Sequence, residues 1–171
     1  MRVRGTTDMD SLPNQQQGNV VRPSFAFPDS EHHIQIPDGP YSAEYVGAEG
    51  FYYLGTSPRV ALCFRILDNV GPESLILAYY KVARLTKNGD VVRRGQRIRD
   101  PDFQIGWRSR LARDLGALFS DVSPSNLPTS IPILDRAVQI RTATVSKDPD
   151  GNKRPDAFRS SKVDCITGWV E

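Results

Sequence analysis

LCFRILDNVGPESLILAYYKVARL, residues 62–85, is the stretch whose reading decides the fold. Two apolar runs flank a DNVGPES break. In the first run, extended back to Arg59, the residues Val60, Leu62, Phe64 and Ile66 share one face, and Arg59, Ala61, Cys63, Arg65 and Leu67 share the other. A period of two is that of a half-buried β-strand, with the more apolar set turned inward. The second run, 75–85, alternates Ile76, Ala78, Tyr80, Val82 and Arg84 against Leu75, Leu77, Tyr79, Lys81, Ala83 and Leu85. The short link between the runs predicts an antiparallel hairpin.

The two adjacent tyrosines must face opposite ways. Three leucines (Leu75, Leu77, Leu85) share the Tyr79 face, which predicts that Tyr79 lies in the core with Lys81 near a rim. Tyr80 and Arg84 are then expected outside, beside an outward Arg65.

Working outward, Tyr41, Ala43 and Tyr45 alternate with Ser42 and Glu44 as a first strand. Gly47 and Gly50 interrupt it in the manner of a bulge or bend, and FYYL at 51–54 resumes it. After the hairpin comes a basic connection in which Lys87-Asn88-Gly89-Asp90 is a turn signal, compatible with a small hairpin. One helix is expected within 103–120, where Trp107, Leu111, Leu115, Leu118 and Phe119 form an apolar stripe after a cap at Asp102. Residues 137–145 and 161–170 alternate as fourth and fifth strands, with Val163, Cys165, Thr167 and Trp169 on one side of the last.

Residues 1–30 are polar, without period, and rich in Gln, Asn, Ser and Pro; they read as a flexible arm before a domain over 31–171. With 13 Gly and 13 Pro the chain favours turns over long helices. Five antiparallel strands with a helix between the third and fourth form the layout of a mainly β, OB-like barrel. An α+β sandwich is the competing architecture.

Residues IPDGPYSAEYVGAEG, RVALCFRILDNVGPESLILAYYKVARL, RLARDLGAL, LDRAVQIRTATV and SKVDCITGWV, taken in that order, resemble a family of small phage and mobile-element proteins of single-strand-DNA-binding, OB-fold type. The likeness covers about residues 34–171 and consists mainly of fold signals and turn glycines. It implies binding of nucleic acid in replication or recombination. No catalytic set comes with it.

Net charge is +2 overall but uneven: residues 31–80 carry −4, and residues 81–113 carry +7. A basic block of this kind is a candidate footprint for an anionic partner. No phosphate-binding glycine loop, serine-nucleophile elbow or zinc-protease motif occurs. His32 and His33 are adjacent, and Cys63 and Cys165 lie far from metal-ligand spacing, so no metal, cofactor or enzymatic activity is expected. Both cysteines are expected as free thiols. No leader-like apolar stretch and no 18-residue apolar window is visible, which leads to the expectation of a cytoplasmic protein of the host cell.

Binding a single strand needs cations along the phosphates and aromatic faces for the bases. The candidates are Tyr52, Tyr53 and Tyr80 as platforms, with Arg59, Arg65, Arg84, Arg93, Arg94, Arg97 and Arg141 as cations. Trp107 is assigned to the core. The expected partner is single-stranded DNA or RNA, with a homo-oligomer and replication or recombination proteins as further partners. Two other readings stand beside this one. The first is a phage assembly protein whose arm swaps between copies. The second is an adaptor or inhibitor whose basic loop docks on an acidic protein.

Overall fold

The computed structural model describes residues 34–68, 74–119, 136–148, 150–156 and 159–171. The proposed arm at 1–30 and both histidines lie outside the described residues. The fold is mainly β, with antiparallel sheets and one helix among the described residues.

The strands are β1 (Gly39–Tyr53), β2 (Ser57–Ile66), β3 (Leu75–Lys81), β4 (Arg84–Lys87), β5 (Asp90–Val91), β6 (Ile98–Arg99), β7 (Asp102–Gln104), β8 (Val138–Val145) and β9 (Ser160–Trp169). The helix α1 (Arg110–Leu118) lies between β7 and β8. The larger sheet runs β3-β2-β1-β8-β9, with β6 added to β1; the smaller runs β5-β4-β7. The five strands expected from alternation are all present, and β4 to β7 fill the basic connection. The larger sheet is not a closed barrel. Its end strands β3 and β9 lie against each other without a hydrogen-bonded ladder, and α1 packs on both.

Strand β1 carries the curvature. Its ladder with β2 shifts register between Tyr45 and Gly47, the bulge that the glycines signalled. Gly50 sits where the smaller sheet meets the larger: a Cβ there would lie 2.8 Å from Pro101 Cγ. Only glycine permits that approach. Asp100 fastens the same place, its amide donating to Ala48 O at 2.9 Å and its carboxylate accepting from Ala48 N.

The core gathers Val60, Leu62, Phe64 and Ile66 of β2 with Ile76, Ala78 and Tyr80 of β3, Leu85, Phe103, the helix leucines, Val138, Ile140, Val163 and Ile166. The inward face of β2 is therefore the expected one, and the inward face of β3 is the opposite of the expected one. Val60, Leu62 and Phe64 stand directly across from Tyr80, Ala78 and Ile76. Directly paired residues share a face, so the facing of β2 dictates that of β3.

Three further expectations change. First, the third strand ends at Lys81 rather than 85, because Val82 N donates to Pro58 O while Ala83 N donates to Gln104 O. The chain passes between sheets at that point, so Arg84 is not on Tyr80's strand. Second, the helix begins at Arg110, capped by Ser109, whose Oγ accepts from Ala112 N at 3.1 Å. Residues 102–104 are spent in β7, and Trp107 is 62% exposed before the helix, under the Arg108 guanidinium at 4.1 Å. Third, two register shifts in the β8–β9 ladder break the alternation of β9. They put Val163 and Ile166 inside and leave Cys165 only half-buried and Thr167 exposed.

Candidate nucleic-acid interface

The outward face of β1, β2 and β3 gathers aromatic rings and cations at one end. Phe51 pairs with Arg59, Arg59 with Lys81, and Ala61 with both Glu49 and Tyr79. These positions share one face. Ala61 is small, so the rings of its flanking strands meet above it: Phe51 and Tyr79 pack edge to face, with centroids 6.3 Å apart. The Arg59 guanidinium lies 4.6 Å from the Tyr53 ring. Arg97, from the loop between β5 and β6, reaches back over Phe51 at 5.7 Å and ion-pairs with Glu49 at 3.1 Å.

Burial sets the chemistry of this face. Tyr79 is 40% exposed, yet partial burial raises its hydroxyl above the ordinary range, against the pull of Arg97. It stays a neutral phenol with an accessible ring. Beneath, Cys63 is fully buried and its thiol is pushed up to about 12 by desolvation, with Arg65 opposing. Such a thiol is unreactive at neutral pH. Arg59 Nε is buried with no hydrogen-bond acceptor among the described residues. A buried donor in that state gains when an incoming acceptor reaches it.

Of the residues singled out in the sequence, Tyr53, Arg59 and Arg97 come together here. Arg65 is on the same face but toward the far end of β2, paired with Glu44 at 3.2 Å. Tyr52 faces the other way and packs on the core. Arg84 is exposed on the smaller sheet opposite Gln104, in a shallow groove with Thr86, Asp102 and Phe103. Arg93 and Arg94 are exposed between β5 and β6, and Arg141 is exposed on β8 across from Cys165.

Tyr80 is not on a surface. It is 1% exposed, and its hydroxyl donates to Asp114 Oδ2 at 2.7 Å. Burial first, and then the Asp114 charge, raise its pKa far beyond the ordinary tyrosine range. Arg110 lies over its ring at 5.1 Å and approaches Asp114 at 3.9 Å, while its own Nη2 donates to Val163 O. This cluster joins the helix to β3 and β9. A tyrosine is buried at little cost when its hydroxyl finds such a partner.

Phe51, Tyr79 and Lys81 were missed. The pairing of the hairpin could have found them: once Phe64 and Leu62 are inward, direct pairing sends Tyr79 and Lys81 outward. The leucines that argued otherwise, Leu75 and Leu77, are half-buried beside Arg65 and Cys63 on the outer face.

No three His, Cys, Asp or Glu side chains converge as a metal site among the described residues. No helix among them is long and apolar enough to cross a membrane. No protein-family model matches the chain, and neither curated proteins nor solved structures give a match.

Proposed function

We propose that the protein binds single-stranded nucleic acid across the outward face of β1, β2 and β3, as an OB-type domain acting in phage or mobile-element replication or recombination. The observation that carries this reading is the convergence of Phe51, Tyr53 and Tyr79 with Arg59, Lys81 and Arg97 on one face. Bases stack on the rings at about 1–3 kcal/mol each, and the cations meet the phosphates. The strand order β3-β2-β1-β8-β9, with a helix packed where the end strands approach, supports the OB-type assignment. An OB domain offers its second and third strands to oligonucleotides. The mobile-element setting and the preference for DNA over RNA follow the sequence resemblance, and the host-cytoplasm location follows the absence of a leader-like or 18-residue apolar stretch in the sequence.

The test is titration of the full chain with a short unstructured oligonucleotide over a range of salt. Binding is expected at low salt. Three phosphate contacts give a log–log slope of about −2 for a single strand. Absence of binding at low salt rejects the proposal. Binding that survives Arg59→Ala but is lost in Arg93→Ala/Arg94→Ala moves the interface from this face to the basic loop.

A further inference from the structure

Two hairpin tips in this molecule have positive φ at two successive residues, with different side chains. Between β4 and β5 the central turn residues are Asn88 and Gly89, with φ of 53° and 88°. Between β1 and β2 they are Leu54 and Gly55, with φ of 49° and 68°, closed by Thr56 N donating to Tyr53 O at 3.2 Å. Positive φ at both central positions is the sign pattern of a type I′ turn, which favours Asn-Gly. Asparagine tolerates the left-handed region; leucine does not do so cheaply.

Leu54 is also 82% exposed, the most exposed large apolar side chain among the described residues. The position therefore carries backbone strain and a hydrophobic side chain in water, and the turn itself requires neither. Asn88-Gly89 carries the same φ signs without either cost. Strain of this kind clusters where a ligand is held. The tip adjoins the aromatic face directly, since Tyr53, under Arg59, is the preceding residue.

We propose that Leu54 is an apolar wedge that enters between two bases of the bound strand and keeps them unstacked. Wedges of this type are aliphatic or aromatic side chains inserted at a base step. The inference rests on the single-strand-binding reading and adds one contact to it, at the end of the row formed by Tyr79, Phe51 and Tyr53.

The test compares the wild-type chain with Leu54→Asn and Leu54→Met, using an unstructured oligodeoxynucleotide that carries a fluorescent purine analogue. Leu54→Asn is expected to melt higher by roughly 2–4 °C, because strain is relieved. It is also expected to bind roughly three- to tenfold more weakly and to lose the rise in analogue fluorescence that reports unstacking. Leu54→Met keeps both affinity and fluorescence. If Leu54→Asn binds as tightly as wild type with the same fluorescence, the wedge is wrong while the face stands. If its only consequence is a changed mass in light scattering, the tip is a contact between copies and the wedge is likewise wrong. If the wild-type chain binds no oligonucleotide, the binding reading fails and the wedge fails with it.

Discussion

Tyr79 and Tyr80 are neighbours in one strand with the same side chain, and the fold gives them opposite work. Tyr80 closes the interior: its ring fills the core, and its hydroxyl ties β3 to α1 through Asp114. Tyr79 lies on the outside against Phe51, with its ring half open to solvent. What separates them is the partner that each one's surroundings supply. An interior tyrosine needs an acceptor, and the helix brings a buried carboxylate. An exterior tyrosine needs only a small residue beneath it, and Ala61 is that residue.

The largest expected effect of separating the two falls on the interior. Tyr80→Ala should cost about 3–5 kcal/mol of stability, from the cavity and from the loss of one hydrogen bond to the buried Asp114. Denaturant unfolding measures it. Tyr79→Ala should leave stability nearly unchanged and weaken oligonucleotide binding by about 1–3 kcal/mol, read in the titration. Equal losses of stability in both variants would erase the distinction.

A smaller effect concerns pH. Burial holds the Asp114 carboxyl above its ordinary 3.8, against the Tyr80 hydrogen bond and Arg110. The folded state therefore keeps this proton to a higher pH than the unfolded chain does. Stability from this group is present below pH 3.8 and is lost as pH rises through the raised folded value. Asp114→Asn should remove that component. The difference in stability between wild type and Asp114→Asn, measured from pH 3 upward, should change over that window and level off above it. A flat difference would mean that the carboxyl titrates alike in both states.

The smallest effect is at the rim. Glu49 stands on the same face, across from Ala61, and its ion pair holds Arg97 over Phe51. A phosphate must compete with it. Glu49→Gln should tighten oligonucleotide binding by roughly two- to fivefold at low salt, with the gain fading as salt rises. Weaker binding would instead assign Glu49 the role of positioning Arg97.

How much of this was legible before the structure follows from the range of the interactions. The strand at 57–66 was legible because Val60, Leu62, Phe64 and Ile66 alternate without interruption. The bend in β1 was signalled by Gly47 and Gly50. The facing of β3 was misread because leucines were counted along one strand, whereas the decisive fact is the pairing with β2. The helix start was misplaced because Phe103 pairs with Leu85 in β4, a contact no local period reveals. Asp114, which no local period singles out, is Tyr80's partner, a contact only the packing of the helix on β3 creates. Of the candidates singled out in the sequence, Tyr53, Arg59 and Arg97 lie together on one face, and the contact of Phe51 with Tyr79 beside them was not foreseen.

The central claim is that bound bases lie on Tyr79 and not near Tyr80. The direct test is photo-cross-linking of the full chain to an oligonucleotide carrying a halogenated base, followed by mapping of the linked residues. Cross-links at Tyr79, Phe51 or Tyr53, with none at Tyr80 or Tyr52, are the predicted result. Cross-links confined to the loop holding Arg93 and Arg94, or to Arg141 and its neighbours on β8, would contradict it.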